Sequence, residues 1–151
     1  SSTLFHNPDF SIREANLIVI GPGDLYTSII PNLLVRGIVK AIVSSRARKI
    51  LICNLMTKSG ETNGYGVIDF LEAVENYLGK NTIDYVLVNS KKPGSVRLKR
   101  YAEELAEPVT LPKDYKNKLN KAVILKADVL TKSGLIRHDP KKLGRQILNL
   151  I

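Results

Sequence analysis

An α/β fold, with a mainly parallel sheet held between layers of helix, is what this sequence predicts. Four apolar runs of strand length recur along it, at Leu17–Ile20, Ile50–Cys53, Tyr85–Val88 and Val123–Leu125. Segments with three- and four-residue apolar spacing separate them, and strands alternating with helices imply right-handed crossovers and parallel pairing. The first run stops at Gly21-Pro22-Gly23 and a polar cluster, the point where open α/β sheets build ligand sites at the carboxyl ends of their strands.

Leu17, Ile18, Val19 and Ile20 are apolar on both strand faces, as a strand covered from two sides requires. Glycines on either side of a proline make a tight turn where backbone can approach a ligand without Cβ interference. Asp24, Tyr26, Thr27 and Ser28 follow, and Pro31 opens a helical pattern. Only Gly-x-Gly of the dinucleotide fingerprint is present, because Tyr26 stands where its third glycine belongs, and no Gly-Lys-Ser/Thr phosphate loop occurs. Spacing alone therefore leaves a nucleotide site and an ordinary strand-to-helix turn both open.

Val35, Ile38, Val39, Ile42 and Val43 share one helical face, and Val67, Phe70, Leu71, Val74, Tyr77 and Leu78 share another that Gly79 terminates. A third helix is expected from Val96 to Leu105, with Leu98, Tyr101, Ala102 and Leu105 on its apolar face. The last starts at Pro140, N-capped by Asp139, with Leu143, Ile147, Leu150 and Ile151 turned inward. Residues 108–120 are irregular, with one short extra strand expected at Val109; residues 1–11 read as an N-terminal tail and 12–151 as the domain. Since the first strand is already of central type, its sheet neighbours are expected outside this chain.

A chain of 151 residues, 44% hydrophobic and 25% charged, is about one domain with ordinary globular composition. No apolar run approaches the ~18 residues that span a membrane, and no secretory apolar segment is found. Cys53 is the single cysteine and sits in an apolar run, which excludes an intrachain disulfide and a cysteine zinc cage. These features favour the cytoplasm. The net charge of +9 is confined to one half: residues 1–75 hold 7 basic against 7 acidic side chains, residues 76–151 hold 16 against 7. Lys91, Lys92, Arg97, Lys99 and Arg100 form an acid-free run, either a solvated helix face or the footprint of a polyanion such as nucleotide phosphate or nucleic acid.

GPGDLYTSIIPNLLVRGI, CNLMTKSGETNGY and IRHDPKKL, in that order, closely resemble the bacterial YvcK branch of the CofD-like family. The resemblance runs from about Ile12 to Ile151 and corresponds to the C-terminal half of a family member. It implies a Rossmann-like three-layer sandwich of the CofD type, present as an incomplete half. It also implies a UDP-sugar or other nucleotide ligand, a role in cell shape and gluconeogenic growth, a missing N-terminal half or partner chain, and a homo-oligomer. The sequence departs from the family pattern at Lys58-Ser59, where Gln-Pro is usual, and at Phe70, where a histidine is usual.

Candidate site residues follow from both lines. Gly21, Gly23, Tyr26, Thr27 and Ser28 belong to the turn and its hydroxyl cluster. Asn54 ends the second strand, where its side chain can read a base or ribose or satisfy local backbone. The long loop from Met56 to Gly66 adds Thr57, Glu61 and Thr62; hydroxyls and bare amides suit phosphate or sugar oxygens, and Glu61 could hold magnesium through water. The plainer alternative is that Thr62 or Asn63 caps the next helix. Few buried contacts are expected to hold this loop closed. Arg137 precedes a helix start, so its guanidinium and the free helix N–H groups would converge on one anion. The family resemblance assigns sugar-nucleotide contact to the positions of Arg137 and Tyr101. His138 reads as a structural hydrogen-bonding residue, and the two histidines, His6 and His138, build no metal cluster.

No nucleophile and base stand together, so the expectation is a UDP-sugar-binding regulator with no catalytic residue and no certain cofactor. A transferase like the phospholactate-transferring branch, using magnesium and a nucleotide-activated donor, is the alternative. A nucleic-acid module is the third, disfavoured by the scarcity of exposed aromatics.

Overall fold

The computed structural model describes the backbone of residues 8–151 and the side chains of residues 11–151. His6 lies outside the described residues. Strands β1 (Leu17–Ile20), β2 (Arg48–Ile52), β3 (Tyr85–Asn89) and β4 (Val123–Ala127) form one parallel sheet in sequential order. The register sets Ile18 beside Lys49, Leu51 beside Val86 and Leu87 beside Leu125.

Strands laid down in sequential order by right-handed crossovers put the connecting helices on one face. That face carries the larger core. Helices α2 (Ile30–Leu33), α3 (Ile38–Ser44) and α4 (Val67–Leu78) cover it, with Leu33, Ile42, Phe70, Leu71 and Val74 packed on Ile20, Leu51, Val86 and Val88. The opposite face carries Ile50, Ile52 and Leu87, and helix α6 (Pro140–Leu148) lays Leu143 and Ile147 over them. This alternation is why the four runs are apolar at every position.

Several expectations are corrected. A short helix, α1 (Pro8–Arg13), crosses the boundary drawn at residue 12, and the Ile12 carbonyl accepts from Ser45 Oγ at 3.0 Å. The helical pattern begins before Pro31: a π turn, Leu25–Ile29, runs straight into α2. Gly37, at φ 91°, restarts the chain as α3, so Val35 and Val43 point to solvent although their spacing fits the buried face. Helix α5 (Ser95–Glu103) buries no residue, and Leu105 is 68% exposed. The expected strand at Val109 is reduced to one antiparallel bridge between Met56 and Pro108. Ile151, expected inward, is 74% exposed.

Among the described residues β1 pairs only with β2, which leaves its other edge open, and Val19 on that strand is 40% exposed. A 410 Å³ groove lined by Ile12, Ile18, Val19 and Ile38 runs along this edge. No single helix among the described residues is long and apolar enough to cross a membrane.

At the amino end of the sheet, Asp84 accepts from the Lys49 N–H at 2.8 Å and pairs with Lys121 at 2.7 Å. Partial burial pushes its carboxyl up, but the Lys121 ammonium and the Lys49 amide outweigh this and leave it below the ordinary carboxylate range. A carboxyl depressed on folding contributes stability above its unfolded value, lost as pH falls through the folded one. Urea midpoints should therefore drop below about pH 4, and the drop should be shallower in Asp84→Asn. Parallel curves for the two proteins would contradict this assignment.

Candidate functional site

A cavity of about 670 Å³ opens at the carboxyl ends of the strands. Residues from four separate segments line it: the turn after β1, the loop after β2, the end of α5 and the stretch before α6. Gly21 makes this convergence possible. Its φ is 86° and a Cβ there would lie 3.0 Å from the Ile52 carbonyl oxygen, so only glycine lets the chain leave β1 this close to β2.

Of the residues singled out in the sequence, the cavity gathers Gly23, Asn54, Thr57, Tyr101 and Arg137. It does not gather Gly21, Tyr26, Thr27, Ser28, Glu61 or Thr62. Gly21 and Ser28 line the groove along β1 instead. Tyr26 turns to Tyr65, their hydroxyls 2.8 Å apart and their rings edge to face, and that hydrogen bond, with burial second, pushes the Tyr26 phenol up to about 12.

The loop after β2 is held more firmly than its composition suggests. Thr57 is buried, and its Oγ1 accepts from the Glu107 N–H at 2.8 Å. Thr62 is buried too, its Oγ1 accepting from the Lys58 N–H at 2.9 Å. Both hydroxyls thus accept a backbone N–H inside the protein. Neither Thr62 nor Asn63 caps α4. Gly66 is the N-cap, its N–H donating to Asp69 at 2.7 Å, while Asn63 accepts from the Gly60 N–H at 2.7 Å.

Lys58 ties this loop to the glycine turn. Its ammonium lies 2.6 Å from Asp24 Oδ2 and 2.7 Å from Glu61 Oε1, and it is raised above the ordinary lysine range chiefly by Asp24, then by Glu61. Glu61 thus faces a lysine and stands outside the cavity, and among the described residues no group of three or more His, Cys, Asp or Glu is placed to hold a metal.

The other wall is built by α5 and the segment before α6. Arg97 donates to the Thr131 carbonyl and Thr131 Oγ1, both at 2.9 Å, and to the Leu135 carbonyl at 2.5 Å. One turn later Tyr101 Oη accepts from the Ile136 N–H at 3.1 Å. Helix α5 is therefore pinned to a polar loop and not to the sheet, which is why its apolar spacing yields no buried face. Arg137 is exposed on the cavity wall, and its guanidinium has no hydrogen-bond or ion-pair partner among the described residues. The helix amides expected to share its anion are already used: Asp139 Oδ1 accepts from the Lys141 N–H at 3.0 Å and the Lys142 N–H at 3.1 Å.

His138 belongs to this wall, and its ring makes a structural hydrogen bond as its sequence position led one to expect. An antiparallel bridge to Leu130 fixes its backbone. Burial holds the ring below the ordinary histidine range, opposed by a hydrogen bond to the Cys53 carbonyl. Its Nε2 has no partner, and neither has Asn54 Oδ1; both atoms are closed to solvent. An unmade hydrogen bond of this kind costs about 1–3 kcal/mol. The one signal in the sequence was adjacency to Arg137, because nothing in local spacing reveals which carbonyl lies across the fold.

An open parallel sheet with a cavity at the strand carboxyl ends gives this chain the architecture of the open α/β domains, in which that edge is the usual place for a ligand. Residues 10–130 match the family described as 2-phospho-L-lactate transferase CofD, and the chain belongs to that family. A gluconeogenesis factor of Halalkalibacterium halodurans is 43% identical over 138 residues, 91% of this chain and 43% of its own length. That of Bacillus subtilis is 40% identical over 140 residues, 93% of this chain and 44% of its own. The crystal structure of a UPF0052 family member from Bacillus halodurans superposes with TM-score 0.88 at 39% identity, over 95% of this chain and 46% of that one. The chain thus spans less than half the length of these relatives.

Proposed function

We propose that this domain binds a UDP-sugar in the 670 Å³ cavity and acts as a regulator of the YvcK type, in the cytoplasm, in support of gluconeogenic growth and cell shape. The observation that carries the reading is Arg137, an exposed arginine on the cavity wall with no protein partner among the described residues, whereas Lys58, the other cation of the lining, is already paired with Asp24 and Glu61. A guanidinium in that position can take a diphosphate through paired N–H donors. The names of the relatives as gluconeogenesis factors support the physiological part. The open β1 edge and Val19 support completion of the sheet by the portion of the relatives that this chain does not match, with self-association of the completed protein as a further expectation.

The family description favours one second reading, transfer of a phosphate-containing group. Incubation of the natural full-length protein with UDP-glucose and magnesium, followed by phosphorus NMR, separates the two. An unchanged ligand is expected under the regulatory reading, and steady product release above a no-protein control would establish the transferase.

The basic half is proposed to serve nucleotide phosphate and not long nucleic acid. Duplex binding loses about 0.9 decade of affinity per decade of salt for each phosphate contacted. UDP-glucose should show a shallow salt dependence and a random oligonucleotide no binding at physiological salt. Tight, steeply salt-dependent oligonucleotide binding would reverse that assignment.

A further inference from the structure

We propose that His138 Nε2 and Asn54 Oδ1 are a pair of hydrogen-bond acceptors that select a ligand carrying an N–H or O–H donor in addition to its phosphates. The inference rests on the nucleotide-sugar reading of the cavity and deepens it. Both residues line the same cavity as Arg137, and both acceptor atoms lack any partner in the protein. The tautomer of His138 follows from its neighbours. The ring donates to the Cys53 carbonyl while Nε2 stays unpartnered, so the proton sits on Nδ1 and Nε2 presents a lone pair. Burial keeps the ring neutral near physiological pH, which preserves that lone pair. The charged groups sharing the cavity are Asp24 from the turn, Lys58 from the loop, Glu104 beyond α5 and Arg137 itself, with Asp139 next in sequence and held by the α6 amides. The cavity therefore offers a cation for an anion and, separately, acceptors that only a donor can satisfy. In a UDP-sugar that donor is either the uracil imide N–H or a sugar hydroxyl.

Calorimetry on the natural full-length protein with UDP-glucose, its N3-methyluracil derivative and UDP distinguishes the two sources. The probe that lacks the paired donor should bind about tenfold more weakly, the usual consequence of one unsatisfied buried acceptor. His138→Phe keeps ring bulk without a nitrogen and should abolish that discrimination. Acidification that protonates His138 turns Nε2 from acceptor to donor, so UDP-glucose affinity should fall in the unaltered protein and not in the variant. Because the variant also loses the bond to Cys53, nitrogen NMR of the imidazole in the unaltered protein supplies a second measurement: an unprotonated Nε2 whose signal moves on UDP-glucose addition. Equal affinity for all three probes, or an Nε2-protonated ring, would overturn the acceptor pair while leaving the site. Absence of any UDP-glucose binding would overturn the nucleotide-sugar reading and this inference together.

Discussion

Arg137→Ala should weaken UDP-glucose binding by about 1.5–3 kcal/mol, roughly 10- to 150-fold, the range measured for hydrogen bonds to charged groups. The expectation is large because the guanidinium has no protein partner to lose: its removal should leave the fold intact and fall entirely on the ligand. Thermal unfolding of the variant should accordingly match the unaltered protein. Arg137→Lys should recover charge but not paired donation, and sit between the two. Tyr101→Phe should act differently, since the Tyr101 oxygen takes the Ile136 N–H at 3.1 Å, one residue before Arg137. Losing that bond, worth about 0.5–1.5 kcal/mol, should lower stability slightly and binding with it. Unchanged affinity in both alanine variants, Arg137→Ala and Tyr101→Ala, would remove the proposed site.

Phe70→Ala should lower unfolding free energy by about 3–5 kcal/mol, the cost of emptying a large buried aromatic site. Phe70 is 1% exposed, lies in the larger core beneath α4, and meets Tyr65 edge to face at 5.7 Å between ring centres. Tyr65 in turn bonds Tyr26, so the cavity left by Phe70 should loosen the link between the loop after β2 and the turn after β1. Urea unfolding measures the first effect, and limited proteolysis within residues 56–66 the second. Val96→Ala is the control: Val96 is 81% exposed, and its change should stay within about 0.5 kcal/mol. A Phe70→Ala loss below about 1 kcal/mol, against the range expected for such sites, would mean that this core has collapsed into the space.

The four strands were legible because their apolar side chains feed cores on both faces of the sheet, most completely in β2 and β3, where Ile50, Leu51, Ile52, Val86 and Leu87 are buried. Helix α4 was legible for a related reason: it packs on the sheet along its whole length, so Val67, Phe70, Leu71 and Val74 repeat the helical period without interruption. Asp139 and Pro140 marked the start of α6 because a cap acts on backbone only two and three residues away. Helix α5 had an apolar period too, yet Arg97 and Tyr101 fasten it to residues 131–136, some 35 positions later in the chain. Periodicity records which residues could share a face, not what that face meets. The same limit governed the site. Thr57 has the chemistry of a ligand-binding hydroxyl, and only the tertiary structure commits it to the Glu107 amide, 50 positions later in the chain. His138 was one residue from a chosen arginine, but its importance depends on the Cys53 carbonyl across the fold, which fixes its proton and leaves Nε2 bare. The sequence by itself determined the strands, the buried helix and the caps, because these rest on burial patterns and contacts within a few residues. Which polar groups are satisfied, and which are left to meet a ligand, was decided by the tertiary structure, because hydrogen bonds between distant segments leave no local trace.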